Sequence, residues 1–482
     1  MALLRDPHMT PTAAMGWWAW WDQGLYQRAA VAWAHGVTDP VFHWYLPGYP
    51  LLGAMFVHLT PADPFMLPDL ACLIGTLWLF CGIVSCLLDI SPPPLRVPMA
   101  CCLFVASTVL PFRTLWSWVV PWTTTPETLA IYGTLFGAIR LIERAERRDA
   151  FLIGFASVAI AGFRPADAAV VVLFVAVVTV PVLFSRRPRR LSLPAAALCG
   201  ALTPLVVLGG AYLVVWGPRL SGYLVLSNQI GFEPRLLALR WVTLMIDPRP
   251  LYPDGHGFAA VFFWILPGIV GMAATLVVVR SALRPAHLLI VGTVAADVIL
   301  FLIYRDLHPT GLWQFGNYHY FKWTLPLFAV YALRLVMIAL KRERRRPAAI
   351  AVGCLTVPLL FFWRADLSRI EPLPPAADAS TVTLMSGLSP IDMMVLVPGH
   401  GVDGATTIEG SATTSSEAQL RSGFDFVIYN AGDMLRIAPL RRLPAAPTTI
   451  RFAAGTVAGR DSPPVLIRQT IRWGLPYWLA GQ

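Results

Sequence analysis

Long apolar runs separated by short polar loops dominate the first three quarters of the chain. Each run approaches the roughly 20 residues that an α-helix needs to cross the hydrocarbon core of a bilayer. The runs cover residues 69–88, 98–112, 126–142, 150–163, 167–184, 195–217, 258–280, 286–304, 321–340 and 347–363. The pattern predicts about ten transmembrane helices, with the short runs 98–112 and 150–163 tilted, partly re-entrant or wrongly bounded.

Loops rich in Arg and Lys predict the topology of these helices. The basic loops are 140–148, 186–190, 280–284 and 341–346. Basic loops stay in the cytoplasm, and two apolar runs lie between each neighbouring pair, as a consistent topology requires. The remaining long segments are therefore predicted to lie together on the opposite, extracytoplasmic side. They are residues 1–68, 218–257, 305–320 and 364–482.

The pattern changes after Arg364, where short alternating stretches rich in β-favouring residues are separated by Gly, Pro, Ser and Asp. These stretches are 381–385, 393–397, 424–429, 448–452 and 465–471. The predicted fold class is mostly α, a polytopic transmembrane helix bundle with a small C-terminal β-rich domain. Its predicted parts are a first extracytoplasmic loop with juxtamembrane helices (1–68), the helix bundle (69–363) and the β-rich domain (364–482).

Composition agrees with a membrane protein, since 56% of the 482 residues are hydrophobic and 13% are charged. The net charge of +10 comes from arginines in short loops rather than along one polar face, so no nucleic acid partner is expected. All seven cysteines lie in apolar runs, which predicts neither a disulfide framework nor a zinc site. Residues 1–15 lack the apolar region of a signal peptide.

Aromatic residues are concentrated around one carboxylate near the start of the chain. Residues 17–26 hold four tryptophans beside Asp22, and residues 43–50 add another aromatic group. Tryptophan and tyrosine at this density are typical of the lipid headgroup level, and the tryptophans alone are explained by an aromatic belt. A carboxylate enclosed in such a belt is partly desolvated, which makes it a better proton acceptor. Asp22 is therefore the candidate general base for a hydroxyl nucleophile.

Several segments follow one another in the order of a known family. They are Asp22-Gln23 with Tyr26, residues 45–52, the acidic helix start 125–130 leading into 140–144, the helix 151–155 ending at Arg164-Pro165, and the basic-aromatic stretch 318–326. Together they resemble the GT-C superfamily of membrane glycosyltransferases, which use polyprenyl-phosphate sugars, such as the protein mannosyltransferases and aminoarabinose transferases. That family normally places a transmembrane helix before its Asp-bearing loop. Here 21 residues precede Asp22 without a convincing span, so the chain is expected either to start late or to have lost that helix.

Ten residues are candidates for the site, some because they match the family's segments and the others, Arg113, Arg305 and His319, because they are predicted near the external end of a span. Asp22 would be the catalytic base or the carboxylate that orients the acceptor, and Glu127 a second acidic group at the same membrane face. Arg164 and Lys322 would bind the donor phosphate, with His319, Arg113 and Arg305 as further cations near it. The aromatic loop and acceptor residues would be Tyr26, Tyr45 and Tyr49.

Structural alternatives accompany these roles. Glu127 at a helix start is equally explained by the helix dipole. The cations are also explained by snorkelling to the headgroups or by pairing with neighbours, as Arg164 can with Asp167 and Arg305 with Asp306. Asp297 lies mid-run, where it is expected to be neutral or paired, either lining a polar path or bonding to a neighbouring helix.

The chain contains no Asp-x-Asp pair, Walker-type glycine loop, zinc-spaced Cys or His cluster, or Gly-x-Ser-x-Gly motif. No cofactor is identified, and a divalent metal stays open without a residue pattern to support it. The resemblance predicts a glycosyltransferase of the bacterial inner membrane, with an extracytoplasmic active site. Its partners would be a polyprenyl-phosphate-linked sugar, an envelope glycan, lipid or protein acceptor, and membrane lipids.

Two other classes of function stay open from the sequence. Polytopic bundles with buried aspartates are also found among lipid or solute transporters and flippases, although no internal repeat of the transporter kind is visible here. The chain could instead be a non-catalytic envelope assembly protein that acts through its C-terminal domain.

Overall fold

The structure is a computed structural model that describes residues 21–88, 93–184, 191–232, 234, 237–246, 256–279, 283–304, 307, 312 and 316–340, and the backbone of the strands between 365 and 473. Its helices are α1 (Trp21–Ala34), α2 (Gly48–Ala54), α3 (Met66–Leu87), α4 (Arg96–Phe104), α5 (Phe112–Val119), α6 (Thr124–Arg144), α7 (Arg147–Phe163), α8 (Pro165–Leu183), α9 (Ser192–Pro204), α10 (Gly210–Trp216), α11 (Gly222–Ile230), α12 (Leu237–Arg240), α13 (Phe258–Val261), α14 (Ile265–Val278), α15 (Arg284–Ile303) and α16 (Thr324–Leu340).

These helices confirm the predicted polytopic helical membrane fold. Within the described ranges, four helices are long and apolar enough to cross a membrane: α3, α8, the continuous segment Ser192–Trp216 and α15. The shorter apolar helices α14 and α16, together with α6 and α7, also coincide with predicted runs. The predicted count of about ten crossings stays a prediction, because the run 347–363 lies outside the described residues.

The short run 98–112 is not one straight helix. α4 continues through a π-helical segment, Val105–Val109, and the chain then bends by 84° into α5. Pro111 lies at the bend with an extended backbone, and because proline has no N–H group and clashes with the preceding turn, it ends the first helix there. The bend gives α5 a direction different from that of α4.

The chain divides into two compact units. One contains Met1–Ser227, Phe262–Ile299 and Tyr318–Cys354, and the other contains Asn228–Val261, Leu300–Asn317 and Leu355–Gln482. The candidate site residues that the structure describes all belong to the first unit. The predicted division at residues 68 and 363 stays a prediction.

Glycines allow close helix contacts in the first unit. Gly154 of α7 lies against the backbone carbonyl of Ala197 in α9, and Gly200 of α9 lies against the carbonyl of Phe151 in α7. A Cβ atom at either glycine would overlap the facing backbone. Small residues of this kind let membrane helices approach closely, where packing rather than water expulsion holds them together. This contact fixes α7, whose C-terminal end leads into Arg164.

Two short helices, α1 and α2, form the first loop together with an aromatic core. The buried members of this core include Tyr26, Tyr49, Phe65 and Trp122, with Tyr45 packed against them. α1 and α2 are not among the helices that are long and apolar enough to span a membrane. Tyr26, Tyr45 and Tyr49 of the predicted first loop therefore pack on one another and on the chain that follows α5, while Trp17, Trp18 and Trp20 lie outside the described residues.

The C-terminal region confirms the predicted β-rich structure. Its strands are β1 (Ala365–Pro372), β2 (Thr381–Leu384), β3 (Asp392–Val397), β4 (Gly410–Thr414), β5 (Gln419–Arg421), β6 (Phe426–Ala431), β7 (Met434–Pro439), β8 (Thr448–Phe452) and β9 (Val465–Trp473). They form two sheets with the orders β1-β9-β3-β7-β6 and β2-β8-β4-β5. The described pairings are antiparallel.

Candidate active site

Asp22 lies in the first turn of α1, where a carboxylate is favoured by the helix dipole. Its side chain is half-buried, and the hydroxyl of Tyr45 donates a hydrogen bond to its Oδ1 atom. Burial raises the pKa of Asp22, while the Tyr45 hydroxyl and the positive charge of Arg164 act in the opposite direction. The predicted general base is therefore partly desolvated and lies within electrostatic reach of one of the predicted cations.

The tyrosines of the first loop form one group around Asp22. The ring of Tyr26 packs against those of Tyr45 and Tyr49, with centroids 4.6 and 5.3 Å apart. Tyr45 also packs against Tyr223 of α11 at 5.2 Å. The sequence interpretation missed Tyr223, because it assigned no specific role to the 218–257 loop. The aromatic signal was present in that loop, but nothing nearby marked it as part of the site.

Arg164 lies at the break between α7 and α8. Residues before proline avoid the helical region, and Arg164 is extended while Pro165 begins α8. Its Nε atom lies 2.9 Å from Oδ2 of Asp167 and 3.7 Å from Oε2 of Glu127, and its guanidinium carbon lies 4.3 Å from the centroid of the Tyr320 ring. The pairing with Asp167 that the sequence left open is therefore present, and Arg164 is 7% exposed.

Two further acids lie beside this ion pair. Glu127, in the first turn of α6, and Asp297, in the middle of α15, are both buried and both face the carboxyl of Asp167. Asp297 also faces the indole of Trp323. The sequence interpretation expected Asp297 to be neutral or paired but did not bring it into the site, because residues 130 positions apart carry no signal of their contact.

Lys322 lies between Phe321 and α16 in a different environment. Its Nζ atom donates to the carbonyl of Ser117 at 3.1 Å and to Oγ1 of Thr125 at 2.7 Å, and it lies 4.6 Å from the centroid of the Trp118 ring. Within the described part of the chain no carboxylate lies in ion-pair contact with Lys322. The ammonium is thus bonded to neutral oxygens and an aromatic face, while the carboxyls of Asp69 and Glu127 act on it from beyond ion-pair distance.

His319 is buried rather than snorkelling towards headgroups. Its ring stacks on Trp122 with the centroids 3.9 Å apart, and its Nδ1 atom is 3.2 Å from Oγ1 of Thr124. Burial, helped by the charges of Arg164 and Lys322, holds the pKa of His319 well below its usual range. His319 is therefore an uncharged member of the site at neutral pH.

The remaining predicted cations are less closely associated with Asp22. Arg113, near the start of α5, lies within electrostatic reach of Tyr318, and Arg305 lies outside the described residues. In the part of the chain that the structure describes, no group of three or more His, Cys, Asp or Glu side chains has the arrangement of a metal site.

Comparisons with known proteins give distant structural similarity only. No family model matches the chain, and no curated protein matches it. Among solved structures it is similar to the arabinosyltransferase EmbB from Mycobacterium smegmatis, with 12% identity and a TM-score of 0.40 over 93% of this chain and 62% of that one. That name describes a sugar transferase, the class that the sequence motifs resemble, but a match this distant shows no activity for this chain.

Proposed function

We propose that the protein is an inverting membrane glycosyltransferase that moves a sugar from a polyprenyl-phosphate carrier to a hydroxyl group of a cell-envelope acceptor. One observation carries this proposal: a half-buried carboxylate, Asp22, lies within electrostatic reach of a buried cation, Arg164, in a unit that also buries Lys322. A base for the acceptor and cations for the leaving phosphate are the two requirements of this reaction.

The reaction is a single displacement. Asp22 accepts the proton of the acceptor hydroxyl while the oxygen of that hydroxyl forms a bond to the anomeric carbon of the sugar. The bond from the anomeric carbon to the phosphate oxygen breaks on the opposite face. The polyprenyl phosphate departs with the bonding electron pair, and a fixed positive charge stabilises the negative charge that develops on it. Tyr45 holds the Asp22 carboxylate in place through its hydroxyl.

Lys322 is the principal phosphate ligand in this proposal. Its partners are the neutral oxygens of Ser117 and Thr125, so no directly paired carboxylate cancels its charge. An ammonium buried without a counter-ion is costly, and an arriving phosphate supplies that counter-ion. Arg164 contributes to the field of the site but already pairs with Asp167.

The site is proposed to face the extracytoplasmic side of the inner membrane. The basic loops support this orientation, and it is testable with single cysteines and a membrane-impermeant maleimide. Trp21→Cys, at a side chain that is 69% exposed beside Asp22, is expected to react in intact cells. Arg148→Cys, in a basic loop, is the control and is expected to react only after permeabilisation. The reverse pattern would contradict the orientation.

Asp22→Asn tests the activity itself. The variant is reconstituted into liposomes with envelope extract and a lipid-linked sugar, and transfer is expected to fall by about 10²–10⁴-fold because the amide cannot accept the proton. Asp39→Asn is the matched control, since Asp39 is exposed and its Oδ1 only caps a short turn at Val41, and it is expected to retain transfer.

Two results would contradict the proposal. Undiminished transfer by Asp22→Asn would remove Asp22 from the mechanism. Movement of the lipid-linked sugar across the bilayer, without any transfer to an acceptor, would favour a transporter instead.

A further inference from the structure

Three carboxyl groups from three helices surround one guanidinium in the interior of the first unit. Glu127 comes from α6, Asp167 from α8 and Asp297 from α15, and Arg164 pairs with the middle one of them. All four side chains are buried, with 2%, 1%, 0% and 7% exposure respectively. The catalytic scheme above uses the charge of Arg164 but gives no role to Asp167 or Asp297.

The hydrogen bonds of this network are incomplete when all three acids are treated as carboxylates. In the described part of the chain, neither oxygen of Asp297 nor Oε1 of Glu127 has a hydrogen bond of normal geometry, and the nearest neutral donor to Asp297 is the indole N–H of Trp323. The group that both of them face is the carboxyl of Asp167. Buried polar atoms without partners are rare and call for an explanation.

The net charge of the site also indicates that some of these acids are protonated. Three carboxylates and one guanidinium would leave an excess of two negative charges in a buried site, and neighbouring carboxylates that share such a site do not all ionise. A protonated carboxyl group becomes a donor, whereas a carboxylate only accepts. One proton on Glu127 and one on Asp297 would remove the excess charge and give each acid one hydrogen bond to donate, which leaves the second oxygen of Asp297 facing the indole N–H of Trp323.

We propose that Glu127 and Asp297 each carry a proton in the resting protein and donate it to the ionised Asp167, which in turn holds Arg164. Asp167 and Asp297 are then positioning residues: they act on the reaction through Arg164, whose orientation and net charge they set. The proton network stands on its own, whereas its effect on the donor phosphate rests on the proposed function.

Other titratable groups face this network from the elements around it. The Arg164 charge acts on Asp22 of α1, Tyr223 of α11, and His319 and Lys322 before α16, while Tyr320 lies under its guanidinium. Tyr223 and His319 are neutral at physiological pH. Burial lowers the pKa of Lys322 to about 7, so Lys322 loses its own charge as the pH rises. Loss of a proton from Glu127 or Asp297 would add negative charge beside both cations, so phosphate binding should weaken as the pH rises.

Infrared spectroscopy of the full-length protein in lipid nanodiscs tests the protons directly. At a pH where exposed carboxyls are ionised, the wild type is expected to show the C=O stretch of protonated carboxylic acids, with its shift in D₂O. Asp297→Asn and Glu127→Gln should each remove part of that band, while Asp39→Asn, at an exposed acid, should not. Asp22→Asn subtracts any contribution from the candidate base.

Absence of the band, or a band unchanged in both network variants, would overturn the proposal. A band that appears only after chelation or removal of Na⁺, K⁺ or divalent ions would also overturn it, because a bound cation rather than a proton would then balance the charge. The amide of Asn or Gln can still donate to Asp167, so these variants are expected to fold, and their thermal unfolding checks this.

Binding of a sugar-free polyprenyl phosphate tests the link to the donor. Wild-type affinity is expected to fall several-fold more steeply with rising pH than that of Asp297→Asn, whose amide cannot ionise. Lys322 titrates in both proteins and cancels in the comparison. Equal pH dependence would overturn the link, whereas an intact infrared band without any binding of polyprenyl phosphate would support the network and contradict the proposed function.

Discussion

Arg164 and Lys322 are two buried cations of the same unit, and their surroundings differ in kind. Arg164 lies among Glu127, Asp167 and Asp297 and forms a direct ion pair at 2.9 Å. Lys322 lies among a carbonyl, a hydroxyl and the face of Trp118. The charge of Arg164 is balanced by a direct ion pair. Lys322 bonds only to neutral groups, and the carboxyls of Asp69 and Glu127 act on it from a longer distance.

This difference separates two uses of a buried charge. A paired cation contributes mainly to the integrity of the fold, because removing it leaves its partner uncompensated. Removing a cation that bonds to neutral groups leaves no directly paired carboxylate without its counter-ion, so stability suffers less. The charge of such a cation is also available to a ligand. Substitutions at the two positions should therefore differ in whether stability or activity suffers most.

Arg164→Met should produce the largest effect, a loss of about 3–5 kcal/mol in the free energy of unfolding, because the buried Asp167 carboxylate loses its counter-ion. Thermal unfolding in detergent or nanodiscs measures it. The double variant Arg164→Met/Asp167→Asn should recover part of that loss, since both charges of the ion pair are removed and the Asn carbonyl can still accept from Glu127 and Asp297. Equal stability of the single variant and the wild type would contradict the assigned pairing.

Lys322→Met should show the opposite balance. Stability is expected to change little, because methionine can pack on Trp118, while transfer from a lipid-linked sugar should fall by about 10²–10³-fold through loss of the charge that stabilises the leaving phosphate. Lys322→Arg is the control that keeps a charge and should retain more transfer. A Lys322→Met protein that loses stability but keeps normal transfer activity would contradict the assigned role of Lys322.

The sequence predicted parts of this contrast and missed others for identifiable reasons. Arg164 and Asp167 are three residues apart at the start of a helix, so their pairing was foreseeable. One partner of Lys322 is the carbonyl of Ser117, 205 positions away, and a backbone carbonyl leaves no mark in a sequence. The hydropathy pattern predicted that Asp297 lies in the middle of a transmembrane helix, but it does not predict which neighbouring helix the Asp297 carboxyl faces.

The same limit applies to the fold. Apolar runs predicted the helices well because burial in lipid requires a continuous apolar stretch. The run 98–112 conceals an 84° bend, which hydropathy cannot detect, although Pro111 marks the position. The aromatic residues of the first loop marked Asp22 as a candidate base. The hydrogen bond from Tyr45 to Asp22 depends on the packing of α1 against α2, which the sequence does not show.

Tyr45→Phe should have a smaller effect, on the Asp22 side of the site. Loss of the Tyr45 hydroxyl removes an interaction that favours the ionised carboxylate, so the pKa of Asp22, already raised by burial, should rise further. Asp22 acts as a base only above its pKa, and the acidic limb of the pH–activity profile should therefore move to higher pH, with about a tenfold loss of transfer on that limb. Little change is expected at alkaline pH. A shift of the limb to lower pH would contradict the hydrogen bond.

His319→Phe should have the smallest effect and sharpens the comparison most finely. A neutral histidine stacked on Trp122 cannot serve as a third cation, and phenylalanine preserves the stacking while losing the contact with Thr124. Transfer at neutral pH should fall by less than about tenfold, because a hydrogen bond between neutral groups contributes about 0.5–1.5 kcal/mol. The measurement compares donor KM for His319→Phe and Lys322→Met under the same conditions. A loss as large as that of Lys322→Met would mean that His319 carries a charge in the donor complex and acts on the phosphate beside Lys322.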